Sequence, residues 1–151
     1  MGIKPSYSKK EFENQLKRSK DNFIQDIANC FFELGKRAVD VAVSDGNYVN
    51  RTGVLRSSIG CAVVINGLIV KEYGFKNIGP NALQGQRLGK KLLESLSRTN
   101  IRSNQIKLII VAGADYASFV EDTSNFVVLS QGISFVESNL PSVLRQLKVI
   151  L

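Results

Sequence analysis

One apolar stripe constrains this chain more than anything else in it. Phe12, Leu16, Phe23, Ile27, Phe31, Leu34, Ala38 and Val41 recur mostly at threes and fours, the spacing of one face of an α-helix. Ahead of the stripe, Ser8-Lys9-Lys10-Glu11 has the form of a capping box, in which the serine oxygen and the glutamate carboxylate each take a backbone N–H. Behind it, Ser44-Asp45-Gly46-Asn47 supplies turn chemistry. The pattern predicts a helix over about 9–43, roughly 50 Å long at 1.5 Å per residue. A chain of 151 residues is expected to form a single domain, 1–151, with the sheet and remaining helices in about 52–151. Such a domain cannot easily cover so long a helix. Either Gly35 bends it, or part of its stripe packs on another subunit.

The clearest local signal lies further on. Cys61-Ala62-Val63-Val64-Ile65 and Leu68-Ile69-Val70-Lys71-Glu72-Tyr73 flank Asn66-Gly67, and a type I′ hairpin turn needs positive φ at both central residues. Near the turn both strand faces are apolar, so each needs a cover: the long helix for one, a neighbouring copy for the other. Residues 74–87 read as a loop. A second helix follows, with Leu88, Leu92, Leu93 and Leu96 inward and Lys90, Lys91 and Arg98 outward. Gln105 to Gly113 is a strand whose nearly continuous apolar run predicts a central position. Phe126 to Leu129 reads as a short strand or extended segment. From Ile133 onward the pattern predicts a last helix, with Pro141 in its first turn or at a kink. The expected fold is α+β: a long N-terminal helix and a C-terminal helix packed on a small, mostly antiparallel sheet containing a β-hairpin.

Chemistry is harder to find. The chain has no histidine, which removes the commonest general base and metal ligand. Cys30 and Cys61 are far apart, without zinc-ligand spacing, and each falls in an apolar pattern where a thiol acts as a small hydrophobe. Gly85-Gln86-Arg87-Leu88-Gly89-Lys90-Lys91 departs from a phosphate loop: its glycines are one residue too close, and Lys91 stands where Ser or Thr would hold magnesium. Asp115, Glu121 and Asp122 cluster, yet such acids more often cap turns or meet a partner's cation than bind metal. No cofactor site, metal site or catalytic set is expected. No apolar run reaches the roughly 18–20 residues that span a bilayer, and no secretory leader is recognisable, so a soluble protein made in a cytoplasm is expected.

The net charge of +7 is unevenly placed. Lys76, Arg87, Lys90, Lys91, Arg98, Arg102 and Lys107 stand against Glu94 alone between 76 and 107. A basic middle and a slightly acidic end suit head-to-tail packing of copies, contact with a polyanion such as DNA, or simply a solvated face. Aromatics are not interleaved with the cations and Trp is absent, so the charge supports at most weak, sequence-independent contact with a phosphate backbone.

Two short segments remain. Arg51-Thr52-Gly53-Val54-Leu55-Arg56-Ser57-Ser58-Ile59 follows the first helix. There Thr52 can cap a helical turn, Gly53 lets the chain bend, Leu55 and Ile59 point inward, and Arg56 and Ser57 face out. Tyr116-Ala117-Ser118-Phe119-Val120-Glu121 stands late in the sheet region. Together they resemble the Thr-Gly-x-Leu-x-x-Ser-Ile and Tyr-Ala-x-x-Val-Glu signatures of a family of tailed-phage neck and minor tail proteins, the tail-completion or head–tail joining components. The order, separation and flanking elements agree over most of the chain. Asp122-Thr123 replaces the family's aromatic-Gly-Thr, and Ser134-Phe135 is the nearest match to its Pro-Phe, so the late-chain contacts depart from the pattern. The resemblance implies a structural subunit, not an enzyme. It would form a homo-oligomeric ring at the neck of the virion, assembled in the host cytoplasm, between portal or adaptor proteins and the tail tube or tail terminator. DNA would pass through, with no membrane partner. Within it Thr52, Gly53, Leu55, Ser58, Ile59, Tyr116, Ala117, Val120 and Glu121 would be fold or interface residues, and fold determinants foremost.

Overall fold

Ser8 and Glu11 start the first helix as their spacing predicts. The Glu11 N–H donates to Ser8 Oγ at 3.3 Å and the Ser8 N–H to Glu11 Oε2 at 2.7 Å. Helix α1 then runs unbroken over Lys9–Ser44 in the computed structural model, which describes residues 2, 8–115, 117 and 128–149. Gly35 does not end it. A Cβ there would meet Leu108 Cδ1 at 2.7 Å and Cys61 Sγ at 3.0 Å, so the absent side chain lets the helix lie close on the sheet. Ala28, Leu34, Ala38, Val39 and Ala42 bury its second half. In its first half every residue from Lys9 to Asn22 is exposed.

A short helix α2 (Val54–Ser57) leads into the hairpin of β1 (Ile59–Ile65) and β2 (Leu68–Gly74). Asn66 at φ 52° and Gly67 at φ 83° give the turn its expected left-handed pair. Helix α3 (Ala82–Ser97) and strand β3 (Ile106–Ala112) follow, and α4 (Ser130–Val149) packs along α1. The sheet order is β2-β1-β3, with β1 antiparallel to both neighbours. β2 and β3 are therefore parallel, and parallel strands need a crossover. Helix α3 supplies it. The architecture is the α+β fold expected, with α1 on one sheet face and α3 on the other.

Several expectations need correction. The central strand is β1, buried along almost its whole length, whereas β3 lies at the edge of the described sheet and is mostly half-buried. Its apolar run reflects two covered faces, which an edge strand between helices also has. The second face of the hairpin is covered by α3, not by a neighbouring copy. Only the turn end stays bare, at Leu68 and Val70. The segment read as a loop up to residue 87 already turns helical at Ala82. Leu93 points inward as expected and Leu88 is half-buried, but Leu92 and Leu96 are 38% and 39% exposed. The buried face of α3 is instead Ala82, Gly85, Gly89, Leu93 and Ser97. A Cβ on Gly89 would sit 2.4 Å from the Ser58 carbonyl oxygen and 2.5 Å from the Phe75 ring. These glycines bring backbones together; they cradle no phosphate.

Val128 and Leu129 form a bend into α4, which starts at Ser130 and carries Pro141 in its interior. Phe126 and Val127 lie outside the described residues. Cys61 is fully buried, and burial first, then the negative charges of Asp40 and Glu72, push its thiol up to about 12. That is the inert thiol of a core position. Among the described residues no helix is long and apolar enough to cross a membrane.

The α3 contact gives a direct test. Gly89→Ala adds a methyl against backbone, so despite the better helix propensity of alanine it should lose about 1–3 kcal/mol of stability. Ser95→Ala, at an exposed position of the same helix, should change it by less than about 0.5 kcal/mol. Thermal or urea unfolding of the two variants checks this.

Candidate assembly interface

The signature segment is the junction of the fold, and its small residues explain how. Gly53, at φ 80°, is the N-cap of α2. A Cβ there would overlap the Ile78 carbonyl and crowd Gly79 Cα at 2.8 Å. Gly79, at φ 98°, approaches from the other side. Thr52 is thus not the cap. Its hydroxyl only reaches the Val54 N–H at 3.4 Å, while its carbonyl accepts from Asn81 N–H at 2.9 Å.

Ser57, expected to face out, is fully buried. Its hydroxyl donates to the Ile78 carbonyl at 3.1 Å and accepts from the Ile78 N–H at 3.0 Å. One side chain satisfies both backbone groups of a loop residue, the work usually done by a strand. Ser58 does the same for the far end of β3. Its hydroxyl donates to Leu55 O at 2.7 Å and accepts from Ala114 N–H at 3.1 Å, and its carbonyl accepts from Gly113 N–H at 3.2 Å. Leu55 and Ile59 are buried in the core as expected.

Ala117 of the second segment joins the same core as Leu55, Ile59 and Val128, and its N–H donates to Ala114 O at 2.9 Å. The two signature segments therefore meet through Ser58, Ala114 and Ala117. Tyr116, Val120, Glu121 and the Asp122 of the acidic cluster lie outside the described residues. Among those described, no group of three or more acids, cysteines or histidines could hold a metal.

Beside this junction runs a groove of about 640 Å³, lined by Tyr48, Val49, Arg51, Leu55 and Leu88, with Asp115 at its border. That volume is in the range of sites that bury a compact ligand or a few side chains. Val49 is 77% exposed. Arg56, half-buried, donates from Nη2 to Gly46 O at 2.9 Å and lies over the Tyr48 ring at 5.2 Å. That contact fixes the groove wall.

The seven cations are dispersed. Lys76 pairs with Asp40 of α1 at 2.8 Å, and the Tyr73 hydroxyl donates to the same oxygen at 2.9 Å. Lys90 pairs with Glu72 at 3.4 Å, and Lys107 donates to the Thr99 carbonyl. Arg87 and Lys91 are exposed on one face of α3 and Arg98 is exposed at its C-cap, at i, i+4 and i+11, but Glu94 falls within that face. Arg102 is exposed in the loop before β3.

A family model described as "Bacteriophage HK97-gp10, putative tail-component" matches residues 10–122. The match begins in the first turn of α1, takes in both signature segments and stops short of α4. No curated protein and no solved structure gives a significant match.

Two predictions come from the hydrogen bonds. Ser57→Ala leaves the Ile78 N–H and carbonyl without their partner and should cost about 1–3 kcal/mol in chemical unfolding. Asp40 sits where burial raises its pKa, but the hydrogen bonds from Lys76 and Tyr73 and the charges of Lys76 and Lys36 outweigh it and hold the carboxyl below its ordinary 3.8. Its contribution is then complete above 3.8 and is lost as pH falls through the lower folded value. Because both side chains are partly exposed, the pair is worth about 0.2–1 kcal/mol. Asp40→Asn should be less stable than the parent by that amount at neutral pH, and the gap should close in acid.

Proposed function

The chain belongs to the HK97-gp10-like family of bacteriophage tail components, and from that membership we propose that it is a tail-completion or head–tail joining subunit. Membership implies a place in the virion, contact with other virion proteins and a structural part in place of catalysis. In the finer reading, copies of this subunit close into a ring at the neck. The ring sits between portal or adaptor proteins and the tail tube or tail terminator, and is assembled in the host cytoplasm before DNA passes through it.

One observation carries this reading beyond the family name. In the N-terminal turns of α1 the apolar residues Phe12 and Leu16 are 46% and 55% exposed. An apolar stripe that stays about half exposed gains by packing against another surface. The second reading, sequence-independent binding to DNA, draws on Arg87, Lys91, Arg98 and Arg102. The two readings coexist if these cations line the channel of a ring.

Phage carrying an inactivated copy of the gene should yield filled heads and finished tails that stay apart, with joining restored by the intact chain. Joined particles in its absence would refute the assignment. Native mass measurement should give a discrete closed oligomer, alone or with a neck partner. A monomer that holds duplex DNA at low salt and releases it as salt rises would favour the second reading.

A further inference from the structure

The described sheet ends in two edges that differ in kind. A strand edge with free backbone groups invites pairing with another chain, and proteins commonly blunt it with a bulge or a charge. β2 is blunted: its ladder with β1 shifts register between Val63 and Val64, and Lys71 and Glu72 stand in its middle. β3 is not. Its ladder with β1 is regular from Ile59↔Ala112 to Ile65↔Ile106, and its one charged side chain, Lys107, already donates to the Thr99 carbonyl. Among the described residues no strand pairs with its outer edge.

The register shows which groups that edge presents. The Gly113 N–H donates to Ser58 O and the Asn66 N–H to Gln105 O, so the backbone of Gln105, Lys107, Ile109, Val111 and Gly113 faces β1. Ile106, Leu108, Ile110 and Ala112 therefore turn their N–H and C=O groups outward, a set symmetric about Ile109. Grooves of about 580 and 390 Å³ follow one another along this edge, the first reaching Leu96 and the second Leu92 of α3. These two leucines stay 39% and 38% exposed.

We infer that β3 pairs antiparallel with β3 of a second copy of this chain, on a two-fold axis at Ile109, with Leu92 and Leu96 of both copies along the seam. The edge itself selects that occupant. In this register Ile106 meets Ala112 and Leu108 meets Ile110, so every outward donor finds an outward acceptor. Lys107 falls opposite Val111, whereas parallel pairing in register sets lysine against lysine. Asp115 comes opposite Ser103, next to Arg102 of the second copy, and shares its end of the groove with Lys91 of its own. β2 of another copy fits less well, since its bulge interrupts the outward repeat. The contact is isologous and closes on itself, so it stands apart from the ring reading: a ring would be built through other surfaces of the pair.

The test uses the full chain with Cys30→Ser, leaving the buried Cys61. Opposed residues of a non-hydrogen-bonded antiparallel pair have Cα atoms about 4.5 Å apart, within disulfide reach. Ile109→Cys should therefore give covalent dimers and no longer ladder under mild oxidation, while Lys107→Cys, displaced from its counterpart, should give none. Dimers from Lys107→Cys would mean parallel pairing and would overturn the proposal. So would a cross-link from Ile109→Cys only to another virion protein, or a parent that native mass measurement finds monomeric at every concentration. The parent also keeps the proposal testable if Ile109→Cys does not fold. On dilution from dimer to monomer, hydrogen exchange at the Leu108 and Ile110 amides should speed up about tenfold or more, and the Lys107 and Ile109 amides, which face β1, should change less. A dimer whose Leu108 and Ile110 amides exchange as fast as the monomer's would pair through another surface, and slow exchange at both in the monomer would mean that the same chain covers the edge. Either result sinks the proposal and leaves the ring reading untouched.

Discussion

Two adjacent hydroxyls hold this fold at its centre. Ser57 and Ser58 stand where α2 passes into the central strand, and both are fully buried among apolar side chains. A buried hydroxyl without a partner costs about 1–3 kcal/mol, so neither could remain there unbonded. Each is bonded to backbone from a different part of the chain: Ser57 to Ile78 before α3, Ser58 to Ala114 after β3. The segment from α3 through β3 is thus tied at both its ends to the junction of α2 and β1. Gly53 and Gly79 on one side, and Gly89 and Gly113 on the other, allow backbones close enough for those bonds to form. Hydroxyls and glycines work together here, since neither reaches its partner if the other position carries bulk.

That dependence explains what could be read from the sequence and what could not. The capping box, the extent of α1, the Asn-Gly turn and the burial of Leu55 and Ile59 are all local, set by residues within a few positions of one another. They were legible. The burial of Ser57 depends on a loop twenty-one residues away, and no periodicity reports it. α3 was misjudged at its start for the same reason. Its glycines resemble loop composition until α2 and the Ser58 backbone lie against them. Leucine content then suggested the wrong inner face, because the tightest contact in the helix is made by residues without side chains. β3 was placed centrally because apolarity records how many faces are covered and says nothing about how many edges are paired. The candidate site followed the same rule. The groove joins Arg51 and Leu55 of the first signature segment to Tyr48, Val49 and Leu88 from outside either motif, and no local pattern reports that meeting.

Charge behaves in the opposite way. The sequence concentrates cations between 76 and 107, yet folding disperses them: Lys76 turns to α1, Lys90 to β2 and Lys107 to a backbone carbonyl. Arg87, Lys91 and Arg98 remain aligned, with Glu94 among them. Such a stripe has a modest field, screened within about 10 Å at ordinary salt. It supports at most weak, sequence-independent contact with a phosphate backbone.

The length of α1 then has a physical meaning. Its second half is fixed by the sheet on one side and by α4 on the other, where Gly132 lets α4 approach the Ala38 carbonyl. Isolated helical turns are marginal in water, since nucleation is costly and each added residue gains little. The exposed turns from Lys9 to Asn22 persist as helix because they extend one already anchored, helped by the capping box and the Lys9–Glu13 pair. The body of the protein thus bears the nucleation cost, and a binding partner meets a helix that is already formed. Less ordering entropy is lost on docking than if the arm were unstructured. Exposed helical turns rooted in a packed core are suited to meeting another virion protein without first refolding.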